Sequence, residues 1–424
     1  MKRVVSLILV LLLATYNISF ADDLNLSGES AILIDGDTGQ ILFGKNPNME
    51  LYPASTTKIM TGILAIELGH MDDTVTIDDE IVQLTDGSHI ALEPGERLNF
   101  EDLLYALLIQ SANDAALAIA KHISGDIDKF VDLMNEKARE LGALNTNFVN
   151  PNGLTHEDHI TTAYDLSLMA KYAMENPKFR DIVANYHYEI PETNKKDETR
   201  YLNSNNRLLY SSRKIDVDGE SIPIKYEGAT GIKTGYTVAA QNCLVASATR
   251  GDRNLIAVVL KANGREVFSD IHQLFNYGFD NYKKVNIATK GQVVDNIQVS
   301  DGISSTVEGA IERDLFACVP KGGADNIERV ISLNESIEAP IKKGQALGTV
   351  TYYLEDQLLA ESNIISTLNI EKNMTSKITD KMPSKWYGLG ILLIGIVLIR
   401  LHILKMRRKR RRRRSIYRMD GHIR

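Results

Sequence analysis

The chain is poor in the residues that staple or stiffen small folds. Of its 424 residues, two are cysteine, one is tryptophan and ten are proline. Two thiols cannot supply the disulfide framework of a small secreted scaffold. Cys243 and Cys318 fall in what read as different domains, so both are expected to be unpaired, buried thiols. Neither has a second cysteine or a histidine at metal-ligand spacing, and neither a metal nor an organic cofactor is expected. Proline and glycine are too few for a disordered or fibrous chain, and the apolar content is ordinary for a globular one. A length of 424 residues exceeds what one core accommodates and indicates two domains with terminal segments.

Positive charge is also scarce over most of the chain. The formal net charge is −7, yet residues 400–424 alone carry +11 and Lys2 with Arg3 adds +2, which leaves −20 on the body. An acidic body argues against nucleic acid as its ligand. Long apolar runs are confined to the two ends. Residues 1–21 combine a basic start, a short apolar centre and small residues before Ala21, the pattern of a secretory signal peptide. Residues 386–404 are apolar except for Arg400 and His402, and the arginine-rich tail 405–424 follows. Trp386 and Tyr387 suit one membrane interface and the arginines the other, with Arg400 snorkelling toward the headgroups. A single-pass anchor is expected, its basic tail cytoplasmic and in contact with membrane lipid, and the body outside the cytoplasm. Residues 373–385 read as a linker.

Residues 51–61 carry the chemistry. Ser55 and Lys58 are three apart, just before an apolar pattern of helical period (Ile59, Met60, Ile63, Leu64, Ile66, Leu68), and Pro53 suits the opening turn. Both side chains then leave one face and can touch. A serine hydroxyl needs a base within reach, and a lysine serves when burial or nearby positive charge destabilises its ammonium. Alone, this spacing occurs often by chance and favours a capping serine and a solvated lysine. Two further stretches change the balance. Ser111-Ala112-Asn113 follows an apolar helix, and Lys233-Thr234-Gly235 sits in a run that leads into paired strands at residues 242–249 and 254–260. Ser-x-x-Lys, Ser-Asp-Asn and Lys-Thr-Gly in that order are the signature of class A β-lactamases and penicillin-binding proteins, and here the middle one reads Ser-Ala-Asn.

On these motifs the chain resembles the serine-type D-alanyl-D-alanine carboxypeptidases, the low-molecular-mass penicillin-binding proteins of peptidase family S11. The likeness extends to Phe148-Val149-Asn150-Pro151-Asn152-Gly153-Leu154, to Thr161-Thr162-Ala163-Tyr164-Asp165 and to residues 244–249. It implies an α+β catalytic domain at 22–284, with an antiparallel sheet flanked by helices and a helical lobe. A small all-β sandwich at 285–372 would act as a stalk. The implied substrate is a peptidoglycan stem peptide ending in D-Ala-D-Ala, and β-lactams are the implied covalent inhibitors. In the implied roles Ser55 is the nucleophile, Lys58 its base and Ser111 the proton relay to the leaving amine. Asn113 holds the substrate amide, Lys233 and Thr234 its carboxylate, and Gly235 lets the strand approach closely. The backbone N–H of Tyr236 joins that of Ser55 in an oxyanion hole, and Arg265 matches a basic position near the carboxylate. Family members often end in an amphipathic helix on the membrane; this chain departs toward a spanning anchor.

Two alternatives share the motifs. A class A β-lactamase uses an additional glutamate for deacylation, and no Glu-x-x-x-Asn pattern follows the second motif here. A non-hydrolytic wall-binding or penicillin-sensing protein would not need the motif residues intact. Elsewhere the residues suggest plain structure. The cluster Asp35-Gly36-Asp37-Thr38-Gly39 reads as a hairpin turn; a calcium loop is excluded because Asn46 stands where its glutamate belongs. His156-Glu157-Asp158-His159 lacks helical metal spacing and reads as a surface loop. Residues 186–192 and 200–209 are expected to lead back toward the sheet, and a helix is expected over 101–110.

Overall fold

In the computed structural model, residues 24–323 and 326–373 are described, together with the helical backbone of 385–419 and its side chains from 392 to 409. The signal-peptide stretch 1–21, most of the linker at 373–385 and the last residues of the tail lie outside the described residues.

The chain divides into two compact units, residues 1–285 with 316–327, and residues 286–315 with 328–424. The first is built on a five-stranded antiparallel sheet. Its order is Ile41–Lys45, Ser30–Asp35, Arg253–Ala262, Gln241–Arg250, Ala229–Thr237, so the strand carrying the third motif lies at an edge. Successive side chains of a strand point to opposite faces. Accordingly Ile256, Val258 and Leu260 join one core cluster, while Leu255, Ala257 and Val259 join the other. Both faces are covered, which is why this strand is apolar almost throughout instead of alternating. The helix Glu266–Asn281 packs into the second cluster through Ile271, Leu274 and Phe275.

The first cluster fills the space between the sheet and a helical lobe. Its centre is the helix Lys58–Leu68, whose first eight residues are all buried. Gly62 lets that helix approach Leu108 and Phe179: a Cβ there would lie 3.1 and 3.2 Å from them. The expected helix at 101–110 is α-helical only over Phe100–Tyr105 and widens to a π turn over Ala106–Gln110. Residues 187–190 and 200–203 pair with each other as a separate hairpin and do not join the main sheet. That hairpin lies against the π turn instead, with Asn203 N donating to Gln110 Oε1.

Cys318, expected in the second domain, is buried in the first unit. The Gln40 side chain accepts from Cys318 N and donates to Cys318 O, at 2.9 and 2.7 Å, and the Asp35 carboxylate lies 3.0 Å from its sulfur. These bonds hold residues 316–327 on the first hairpin. Both cysteines are free and buried, as their sequence setting implied. The second unit contains a five-stranded sheet with Val293–Gln298 at one edge and Ile327–Leu333 at the other. The helix Lys385–Met419 is continuous, and its apolar side chains at Leu392, Leu393, Ile394 and Val397 are exposed. Among the described residues, no helix is long and apolar enough to cross a membrane.

Candidate active site

Ser55 does not sit in the α-helix itself. After Pro53 the chain makes a 3₁₀ turn over Ala54–Thr57, and the α-helix begins at Lys58. The threonines of this segment fix the turn. Thr56 Oγ1 donates to Pro53 O at 2.7 Å, Thr61 Oγ1 donates to Pro151 O at 2.6 Å, and Thr57 Oγ1 meets His159 Nε2 at 2.8 Å. Val149 N donates to His159 Nδ1, so Nε2 carries the hydrogen and donates to Thr57. The nucleophile is thus carried by a turn tied down at three side chains.

Lys58 Nζ lies 3.1 Å from Ser55 Oγ, 2.6 Å from Asn113 Oδ1 and 2.5 Å from the Asn152 carbonyl oxygen. The side chain is fully buried, and burial holds its amine well below the usual lysine range. The positive charge of Lys233 pushes in the same direction and the carboxylate of Asp114 opposes it. A neutral amine has two N–H bonds and one lone pair. In that form Asn113 Oδ1 and the Asn152 oxygen would accept the two hydrogens, and the lone pair would be left for the Ser55 hydroxyl. This is the geometry of a general base on a serine nucleophile.

The second motif follows the π turn. Ser111 is buried and adopts a left-handed conformation (φ 65°, ψ 35°), and its N–H donates to Ala106 O to close the wide turn. Non-glycine residues in that region are strained and concentrate at functional sites. The reversal starts the next helix at Asn113, whose Nδ2 donates to Asp86 O and whose Oδ1 accepts from Lys58.

The third motif arrives from the edge strand. A Cβ on Gly235 would lie 3.0 Å from both Pro53 O and Ser55 N, so the absence of a side chain lets the strand lie against the nucleophile's backbone. Lys233 is buried beneath it, its Nζ donating to Thr234 O at 3.0 Å, and burial lowers its amine to about 7. A carboxylate brought beside this amine would supply the missing counter-charge and favour its protonated form. Thr234 is half-buried and Tyr236 is 63 % exposed at the rim. Gly153 closes the opposite side: its φ is +87°, and a Cβ there would fall 2.0 Å from Ala54 O.

Residues 17–264 match the peptidase family S11, described as D-alanyl-D-alanine carboxypeptidase, and residues 282–372 match the C-terminal domain of penicillin-binding protein 5. The chain belongs to the D-alanyl-D-alanine carboxypeptidase family. It is 34 % identical over 388 residues to the D-alanyl-D-alanine carboxypeptidase DacF of Bacillus subtilis strain 168, covering 88 % of this chain and 95 % of that one. Against the carboxypeptidase DacC of Escherichia coli K12 it is 31 % identical over 373 residues, covering 84 % of this chain and 88 % of the relative. Among solved structures, penicillin binding protein 5 from Haemophilus influenzae superposes with a TM-score of 0.70 at 26 % identity, covering 83 % of this chain and all of that one.

In this carboxypeptidase the structure joins Ser55, Lys58 and Asn113 by direct contacts and brings Gly235 against Ser55. Arg265 precedes the helix Glu266–Asn281 and lines a polar pocket with Asn25, Asp216, Ser269 and Asp270, and no motif residue lines that pocket. The sequence reading missed the Asn152 carbonyl, although Asn150-Pro151-Asn152-Gly153 marks a tight turn that can aim a carbonyl inward. It also missed the supporting residue Asp114. Among the described residues, no group of His, Cys, Asp and Glu is arranged to hold a metal.

His159 corrects the surface-loop reading of residues 156–159: it is buried, with its ring edge-on to Phe148. Burial, helped by His156 and Lys58, lowers its pKa to about 4. Below an unfolded value of about 6.5 the unfolded chain therefore binds the proton first. The stabilisation is complete above about 6.5 and is lost as pH falls toward about 4. Melting temperatures measured across that window are expected to fall more steeply for the wild type than for His159→Gln; parallel curves would refute the assignment.

Proposed function

We propose that the chain works as a serine-type D-alanyl-D-alanine carboxypeptidase on peptidoglycan stem peptides, as its family membership indicates, with Ser55 as the nucleophile. The observation that carries this reading is the buried Lys58 amine, 3.1 Å from Ser55 Oγ and within hydrogen-bond reach of two further oxygens, Asn113 Oδ1 and Asn152 O. Ser55 Oγ attacks the carbonyl carbon of the penultimate D-alanine while Lys58 Nζ takes its proton. The C–N bond then breaks, and Ser111 passes a proton to the departing amine of the terminal D-alanine. Water attacks the resulting ester, releasing the shortened peptide and returning the proton to Ser55.

Asn113 holds the substrate amide, and Lys233 with Thr234 holds the terminal carboxylate. The N–H groups of Ser55 and Tyr236 receive the oxyanion, a pairing supported by the close approach of Gly235 to Ser55 N. A β-lactam acylates Ser55 by the same attack, but its leaving group remains attached and hinders the water. Arg265, matching a basic family position near the carboxylate, would add positive charge there. Secretion through residues 1–21 and attachment through 386–404 and the basic tail would place the enzyme at the outer face of the bacterial cell membrane. The exposed apolar side chains of the last helix support attachment through that helix.

The test is mass spectrometry of the full chain after brief exposure to penicillin, combined with D-alanine release from a pentapeptide. A long-lived adduct on the peptide containing Ser55, with release of D-alanine, is the expected result. Rapid turnover of the antibiotic would indicate a β-lactamase, and an adduct on another residue would overturn the assignment of Ser55.

A further inference from the structure

We propose that Asp114, outside the three motifs, is a positioning residue for Lys58, holding residues 86–92 in the shape that lets two of their carbonyls fix Asn113. The carboxylate is buried and accepts from Ile90 N, Leu92 N and Ala115 N at 2.9–3.2 Å. The segment pinned in this way runs back past Asn113. Ser88 O accepts from Asn113 N at 2.6 Å, and Asp86 O accepts from Asn113 Nδ2 at 2.5 Å.

An amide side chain has two orientations that exchange its oxygen and nitrogen. The Asp86 carbonyl selects the one with Nδ2 toward the loop, and Oδ1 is then forced to face Lys58 Nζ. The Lys58 amine is thereby held by Asn113 as well as by Asn152, and its lone pair stays on Ser55. Gly87 sits inside this arrangement: its φ is +76°, and a Cβ there would lie 3.1 Å from Asn113 Nδ2. Asp114 also acts through its charge. The ionisable groups bearing on Lys58 are Lys233 from the edge strand, Asp114 from the helix Asn113–Ser124 and His159 from the loop before Ala163. Asp114 favours the ammonium, and His89 acts on Asp114 from the loop.

This inference rests on the proposed roles of Ser55 and Lys58, and its test separates the two. Penicillin acylation of the full chain is measured against pH for the wild type, Asp114→Asn and Gly87→Ala. Asp114→Asn replaces one carboxylate oxygen by a donor, which breaks the three-fold grip, and it removes the charge. Acylation is expected to slow on the order of 10- to 100-fold, the cost of misplacing a catalytic group by about an ångström. The acid-side midpoint should move to lower pH, because Lys58 loses the favourable counter-charge of Asp114. Gly87→Ala should slow acylation similarly with an unmoved midpoint. An Asp114→Asn protein with an unmoved midpoint overturns the proposal, whether or not its rate falls. Should that variant not fold, wild-type acylation by Gly87→Ala overturns it equally. A wild type that forms no adduct at Ser55 would count against the proposed function instead.

Discussion

Ser55→Ala is expected to lower D-alanine release from a pentapeptide by roughly 10⁴-fold or more and to abolish penicillin labelling, as loss of a nucleophile does in other serine hydrolases. The reason is local. In its neutral form Lys58 has the Asn113 and Asn152 oxygens to accept its two hydrogens, which leaves its lone pair for the hydroxyl at 55. No neighbouring residue replaces it: Thr56 Oγ1 is committed to Pro53 O, and Thr57 Oγ1 receives the His159 hydrogen. The substitution removes one oxygen from a turn held by those other bonds, so folding should survive. Single-turnover release and intact-protein mass spectrometry, with a melting curve as control, check this. Release by a folded Ser55→Ala protein at the wild-type rate would end the proposal.

Gly235→Ala should have the second largest effect. The added Cβ would lie 3.0 Å from two backbone atoms, Pro53 O and Ser55 N, and 3.1 Å from Ala54 Cβ. Backbone on one side is fixed by the 3₁₀ turn; on the other the strand is held by its pairing with Gln241–Arg250, where Gly235 faces Cys243. Relief therefore comes from moving the edge strand away from the turn, which widens the gap between the two N–H groups of the oxyanion hole. Losing one such donor costs about 2.7–4 kcal/mol of transition-state stabilisation, or about 10²–10³ in rate. Steady-state kinetics should show the loss in kcat, with a melting temperature close to wild type because the strand lies at the edge of the sheet. A variant with unimpaired kcat would show that the strand and the turn need not touch.

The parts of this site that repeat short, chemically specific patterns were legible in the chain, and those depending on backbone placement were not. Ser55 and Lys58 could be paired because three positions of spacing bring side chains together across a single turn, whether that turn is 3₁₀ or α-helical. The bond from Lys58 to the Asn152 carbonyl has no side-chain signature, since every residue owns a carbonyl. Asp114 was hidden differently: an acid at a helix start ordinarily reads as a dipole partner, and only the folded loop shows it accepting from Ile90 and Leu92. His159 was misread because loop composition was taken to mean exposure, whereas the loop folds its last residue under the nucleophile's turn. The hairpin of residues 187–203 was misplaced because strand-like sequence does not name its partner. In the sheet itself, strong apolar runs at 244–248 and 255–260 left little choice, since a strand buried on both faces can go only to the middle.

The return of Phe316–Ile327 to the first unit has a consequence for dissecting the protein. That unit is made from two separate lengths of chain, with 286–315 routed elsewhere in between, so no single scission can release it whole without 286–315. A product ending at 285 would lack the peptide group that pairs with the Gln40 amide and the thiol that meets Asp35. The polypeptide that forms the catalytic body is therefore finished only after synthesis has passed well into the domain that follows it.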